Sequence, residues 1–438
     1  MLNMKNKKHS TKIHETSMKL KQKYLRIHFL GISIHIRQGW LYRWLVRKIL
    51  DHRMAQKLKK IQQKDKIRVA FLVAEASKWG YQSVYNMFNS NSRFETIILT
   101  TKLGQEHRNG KTLYQSMDDC RNFFESKGMR TESAYDEENK KYIPLNKFDV
   151  DIVFYEQPWD LVESQHPCTV SEHAITCYSS YGFDLMNYTG SYMENFHRML
   201  DFVFTVSKAT YKHIQNIAVK ANNVHIVGWP KLDIYQDMEI VKTGKPLIIY
   251  APHHSVEEKG LNLDTFQYNG QYILELAKQT ADRFDWAFKP HPRLKHALVL
   301  NKIMTEQQAD KYYGEWEKLG TLCNDGSYFE LFSKSSAMIT DCCSFLGEYL
   351  PTGNPVLHLI NTKAQFNDVA KSFIGSFYQI LDNKQLGEEF ERVLVEKNDY
   401  KHAERMQKIS LIFDKNEKAG IKIYKIITNL LDRPKDNR

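Results

Sequence analysis

The 438-residue chain is short of the features that mark several large protein classes. Its six cysteines (Cys120, Cys168, Cys177, Cys323, Cys342 and Cys343) show no C-x-x-C spacing and no disulfide-rich density. That argues against a structural zinc site and for a reducing cytoplasm. No apolar run is long enough to span a bilayer, and no signal peptide with an apolar centre and small-residue cleavage site is visible. There is no G-x-x-x-x-G-K-[ST] loop, which disfavours a P-loop ATPase or kinase. Glu75-Ala-Ser-Lys-Trp-Gly80 follows the first apolar strand where G-x-G-x-x-G would stand, which disfavours a dehydrogenase. With 11 prolines and 20 glycines, and no solenoid repeat or low-complexity tract, little of the chain reads as disordered.

What is present is enough apolar sequence for large cores, 42% hydrophobic and 12% aromatic, in a length that favours two domains over one. The net charge of +11 is unevenly placed. Residues 1–66 hold 18 of the 62 Lys and Arg against Glu15, Asp51 and Asp65, a net +15, and the other 44 bases face 48 acids, a net −4. Within this arm Trp40, Leu41, Trp44, Leu45, Ile49 and Leu50 recur at helical spacing among Arg37, Arg43, Arg47, Lys48 and Arg53. A basic helix with a Trp/Leu face reads as an element attracted to an anionic membrane surface. A helix packed on the body with a solvated basic face is the alternative, and no nucleic-acid-binding motif is found. The expected location is cytoplasmic and peripheral, at the inner face of the cell membrane.

From Ile67 the pattern alternates. Strands are expected at Ile67–Ala74, Phe94–Thr100, Val150–Tyr155, Ala174–Tyr178, Phe202–Val206 and Val224–Val227, with helices at Gln82–Phe88, Leu113–Ser126, Tyr192–Leu200 and Lys208–Ala218 between them. Gly228-Trp-Pro-Lys-Leu-Asp233 and a polar stretch to Lys245 read as a linker. A second series has strands at Pro246–Pro252, Trp286–Lys289, Ala337–Thr340 and Pro355–Ile360, and helices at Gly270–Asp282, Glu306–Leu319, Gln385–Lys397 and Ala403–Leu431. The fold class is therefore α/β, with two Rossmann-like doubly wound domains facing a cleft and a basic N-terminal helical arm. The divisions fall at residues 1–66, 67–235 and 236–438. Such a pair is met in the GT-B architecture and in other paired Rossmann folds.

Two segments carry the chemistry. Asp285-Trp-Ala-Phe-Lys-Pro-His-Pro-Arg293 and Ala337-Met-Ile-Thr-Asp-Cys-Cys-Ser-Phe-Leu-Gly-Glu-Tyr349 are strand-like runs that stop abruptly at polar or cationic residues. Open α/β sheets bind ligands beyond the carboxyl ends of their strands. The first stop supplies Lys289, His291 and Arg293 on a backbone held extended by Pro290 and Pro292. The second supplies Thr340, Asp341, Cys343 and Ser344 ahead of a helix start, where free backbone N–H groups favour an anion. His253, His254, Glu257 and Glu258 would suit a divalent ion, but they read better as a polar loop after a strand. Asp149 and Asp151 stand at a strand entry, the wrong end for a doubly wound site. No cofactor is expected.

Over residues 165–360 the sequence resembles the CDP-glycerol glycerophosphotransferases of teichoic-acid and capsule synthesis. Five segments carry the resemblance in family order: Ser171-Glu-His-Ala174, Gly228 to Asp233, Tyr250 to Pro252, Lys289 to Pro292, and Thr340 to Ser344. The family's W-H-G-T is absent, leaving His173 as its counterpart, and Cys342 and Cys343 replace a Tyr and a Ser. Glu348 stands where Asp is common. The resemblance implies transfer of glycerol phosphate, or a related polyol phosphate, from a CDP-linked donor to a hydroxyl of a glycan or lipid-linked acceptor. His173 would then be the base, oriented by Glu172. His291, Lys289, Arg293, Thr340, Asp341, Cys343 and Ser344 would hold the donor, with Glu348 on its ribose. A GT-B glycosyltransferase using a CMP- or UDP-sugar, and a non-catalytic adaptor, remain the alternatives.

Overall fold

The computed structural model describes residues 17–21, 24–29, 32–37, 39–102, 117–183, 185–186, 192–217, 223–238, 244–256, 261–323 and 328–433. The first sixteen residues of the basic arm lie outside the described residues. So do the starts and ends expected at Leu113 and Ala218, linker positions 239–243, and Glu257 and Glu258.

The arm opens with an antiparallel sheet of β1 (Ser17–Leu20), β2 (Leu25–Phe29) and β3 (Ile32–Ile36). The helix Gly39–Ile61 follows. Its stripe Tyr42, Val46 and Leu50 buries against Cys168 and Met199 of the first domain, and Ile61 joins that domain's core. Arg53 bonds the carbonyl of Cys168 (2.9 Å) and the hydroxyl of Ser171 (2.7 Å), and Lys57 forms a buried ion pair with Asp201. The expected arm is thus fastened to the body over its second half. Trp40 and Trp44, on the opposite side of the helix from that stripe, remain 78% and 48% exposed.

The first large sheet comprises β4 (Ile67–Val73), β5 (Phe94–Thr100), β6 (Thr131–Ser133), β9 (Ile152–Tyr155), β10 (Ile175–Ser179), β11 (Phe202–Thr205) and β12 (Val224–Ile226). A short antiparallel pair, β7 (Tyr135–Asp136) and β8 (Lys141–Tyr142), lies between β6 and β9. The sheet order is β12-β11-β10-β9-β4-β5-β6, all parallel. Alternation puts Val69, Phe71 and Val73 into one core and Ala70 and Leu72 into another, so both faces are covered.

The second sheet comprises β13 (Leu247–Ala251), β14 (Asp285–Phe288), β15 (Thr321–Leu322), β16 (Ser335–Thr340), β17 (Val356–Leu359) and β18 (Tyr378–Ile380). Its order is β15-β14-β13-β16-β17-β18, again all parallel. The order in which strands are added therefore reverses once in each sheet, between β4 and β9 in the first and between β13 and β16 in the second. Ligand crevices in doubly wound sheets form at these switch points.

One expected element divides. The helix predicted at 403–431 is two, His402–Ile409 and Ala419–Leu431. The second leaves its own domain and buries Ile423, Ile427 and Leu431 in the first core. Asp233, at the end of the linker segment, accepts the Ala419 and Gly420 N–H groups (both 2.8 Å) and the Ser83 hydroxyl (2.6 Å).

Candidate functional site

The carboxyl ends of β13 and β14 are neighbours, and they bring three imidazoles together. The His254 and His291 rings stack with centroids 3.9 Å apart, and His253 lies 4.4 Å from His254 and 5.3 Å from His291. Their ligating nitrogens all fall within 4.8 Å of one another, the spacing of a metal-binding set. Hydrogen positions argue otherwise. The Ser255 N–H donates to His253 Nδ1 (3.2 Å) and the Arg293 N–H to His291 Nδ1 (3.1 Å). A backbone N–H can only donate, so both Nδ1 atoms are acceptors and each ring carries its proton on Nε2. Rings in that form offer N–H donors, which suit an anion and not a cation. Burial, followed by the neighbouring imidazoles and the charges of Arg293 and Lys289, holds His291 well below the ordinary range, hence neutral. Burial does the same for His254, lowered to about 4.

At the switch point itself, Asp341 follows β16 and faces β13. Its Oδ1 accepts the His253 N–H (2.6 Å), and its Oδ2 accepts both the N–H and the hydroxyl of Thr265 (2.8 Å each). Burial raises it to about 7. Thr340 is likewise turned inward, donating to the Ala251 carbonyl (2.6 Å). These two residues were expected on the donor; the structure uses them to fasten the ends of β13 and β16 and so to position His253. Ser344 and Cys343 are half-buried at the start of the seven-residue helix Cys343–Tyr349, with Ser344 Oγ 3.6 Å from Cys342 Sγ.

Glu348 also departs from expectation. It is 1% exposed, its carboxylate accepts from the Tyr328 hydroxyl, and Lys231 Nζ lies 3.7 Å away. Lys231 was not foreseen as a site residue. It also donates to the Tyr181 carbonyl (3.3 Å) after β10, so it spans the two domains. Lys289 Nζ sits 5.9 Å from the Tyr328 ring, and its charge reaches Glu348. Glu348 thus belongs to a buried Lys-Glu-Tyr group, where contact with the donor ribose was expected.

His173 is the largest correction. It lies in the turn before β10, at the amino end of the strand, where the charges of Lys57, Arg53 and Lys60 surround it. Glu172, expected to orient it, pairs with Arg53 (2.7 Å). Six residues separate His173 from Ser179 at the carboxyl end of β10, about 20 Å of strand. The structure therefore does not bring His173 to the histidine cluster. Burial, then those cations, lowers it to about 4.

The carboxyl ends of the first sheet offer Glu156 instead. It follows β9, and its Oε2 accepts the N–H groups of Ala74 (2.9 Å) and Glu75 (3.1 Å) after β4. Its Oε1 is buried with no hydrogen-bond partner among the described residues. Burial raises the carboxyl to about 8 against the opposing charge of Lys78. Lys78 donates to Gln157 (2.6 Å) and Glu75 (3.0 Å), and Glu156 lines a recess with Ala74, Thr101 and Gln157. Sequence reading passed over Glu156 because nothing in Tyr155-Glu-Gln-Pro158 marks a motif. Its position after an apolar strand was the one available signal.

No family profile and no curated protein matches the chain. Solved structures do. A putative UDP-N-acetylglucosamine 2-epimerase from Listeria monocytogenes superposes with a TM-score of 0.57 at 14% identity, covering 85% of this chain and 99% of that one. The UDP-GlcNAc 2-epimerase from Neisseria meningitidis, bound to UDP-GlcNAc, gives 0.56 at 13% identity, with 83% and 100% covered. The wall teichoic acid polymerase TagF with CDPG gives 0.52 at 14% identity, with 90% and 97% covered. At such identities the likeness is one of fold. The chain has the two-domain GT-B architecture.

Proposed function

We propose that the protein is a transferase moving glycerol phosphate, or a related polyol phosphate, from a CDP-linked donor to a hydroxyl of a surface-glycan or lipid-linked acceptor. The observation that carries this reading is that backbone N–H groups donate to Nδ1 of His253 and of His291, which leaves their Nε2 atoms as donors. Two Nε2–H donors at the carboxyl ends of β13 and β14, beside Arg293 and Lys289, form a site for a diphosphate. Transfer of this kind is mostly positioning and electrostatic stabilisation, which such a set of donors supplies. The five sequence segments and the likeness to a CDPG-bound polymerase support the cytidine donor. Likeness to UDP-GlcNAc 2-epimerases supports the second reading, a GT-B enzyme acting on a nucleotide sugar. In this proposal His291 Nε2 touches the donor diphosphate, with Ser344 and Cys343 at its rim.

A thermal-shift screen of CDP, CMP, UDP and UMP decides between them. A nucleotide at 100 times its Kd adds about 2.7 kcal/mol. Stabilisation by CDP above that by CMP supports the polyol-phosphate transferase, and selective stabilisation by CMP alone or by UDP rejects it for the nucleotide-sugar reading. The exposed Trp40 and Trp44 beside Arg37 and Arg47 would hold the protein on an anionic membrane. Replacing both tryptophans with serine is expected to reduce co-sedimentation with phosphatidylglycerol vesicles at least several-fold, and equal sedimentation rejects the membrane role.

A further inference from the structure

With His173 at the far edge of the first sheet, the acceptor hydroxyl needs another group to take its proton. We propose that Glu156 is the general base of the transfer, its Oε1 receiving the acceptor proton at the switch point of the first sheet. The assignment rests on the transferase reading above.

Three observations converge on this one side chain. The first is topology. Glu156 lies beyond the carboxyl end of β9, next to β4, at the position where the strand order reverses. That crevice belongs to the same class of position as the histidine cluster in the second domain. The second is orientation. Both backbone donors fall on Oε2, which fixes the carboxyl group and leaves Oε1 as the oxygen with a vacant lone pair. A buried carboxylate oxygen without a partner is costly and asks for an explanation. The third is environment. Burial in an apolar recess makes the carboxylate strongly basic, and Lys78 keeps its ionised form within reach of neutral pH. The charged and titratable groups facing Glu156 are Lys78, Glu75, Tyr81 and Cys120.

The step balances as follows. The acceptor O–H bond breaks and its proton passes to Glu156 Oε1. The freed oxygen forms a bond to the phosphorus that carries the polyol, and the bond from that phosphorus to the bridging oxygen breaks. The nucleoside monophosphate leaves with the electron pair. Glu156 then returns its proton to solvent.

E156Q keeps an acceptor for the Ala74 and Glu75 N–H groups and removes the base. Turnover of E156Q with the donor that stabilises the wild type is expected to fall at least 100-fold. CDP affinity should change less than twofold, and E156D should recover part of the loss. The wild-type kcat/KM should rise with pH along a one-proton limb near pH 8, and E156Q should lack that limb. H173N should keep turnover within twofold. E156Q turnover within threefold of wild type across pH 6–9, with CDP still bound, overturns this assignment and leaves the transferase reading standing. Failure of every cytidine and uridine nucleotide to stabilise the wild type overturns both.

Discussion

The two switch points are built on one plan and finished differently. In each, a buried carboxylate at the end of one strand accepts backbone N–H groups from its neighbour: Asp341 from His253, Glu156 from Ala74 and Glu75. Burial raises both carboxyl groups, to about 7 and about 8. The difference lies in the second oxygen. Asp341 Oδ2 is taken up by Thr265, whereas Glu156 Oε1 has no partner among the described residues. Asp341, with both oxygens engaged, fastens two strands, whereas Glu156 keeps one oxygen for the proposed proton transfer. Neither burial nor a shifted titration separates the two roles. Hydrogen-bond completeness does.

That contrast is open to direct tests. The largest effect is expected from D341A, which strands the His253 N–H and both Thr265 donors in a dry interior. A loss of about 3 kcal/mol follows from several unsatisfied groups, which calorimetry should show as a Tm drop of roughly 6–12 °C. A drop below 2 °C would remove Asp341 from its fastening role. Next, H291A takes away a ring N–H of the proposed diphosphate site. CDP affinity measured by titration calorimetry should weaken by roughly 10- to 100-fold, while E156Q stays near wild type; equal weakening in both would erase the distinction between the sites. A third effect, of comparable size, concerns pH. A carboxyl whose folded pKa is raised disfavours folding as it ionises, so Glu156 contributes a stability loss that grows from about pH 4.5 and levels off above about pH 8. E156Q should therefore melt level with wild type at pH 5 and roughly 10 °C or more higher at pH 9. A constant offset at both pH values would mean that the carboxyl is not buried as described.

Periodicity made the fold legible. The alternation from Ile67 to Ile360 gave both parallel sheets, because strands buried on two faces read as continuous apolar runs. It missed β6, β15 and β18, edge strands of two or three residues that are too short to carry a period. It merged the last two helices because residues 410–418 contain no proline and no glycine to mark the break. The histidine cluster was legible in part: Lys289, His291 and Arg293 stand at a strand stop, where the sequence placed them. His253 and His254 were seen, but only pairing of β13 with β14 brings them to His291. His173, to which the resemblance points, stands before the amino end of β10, whereas doubly wound sheets place ligands beyond the carboxyl ends of their strands. The same rule, applied to Asp149 and Asp151, was sound: Asp151 accepts the Arg68 N–H at the entry of β4.

The helix Ala419–Leu431 also bears on how this molecule is made. The core it completes is otherwise assembled from residues 61–227, so during synthesis that half leaves the ribosome with Phe88 and Phe94 uncovered until nearly two hundred further residues have followed. The nascent chain must hold an unfinished apolar groove in the open over that interval, and such exposed apolar surface is where misassembly begins.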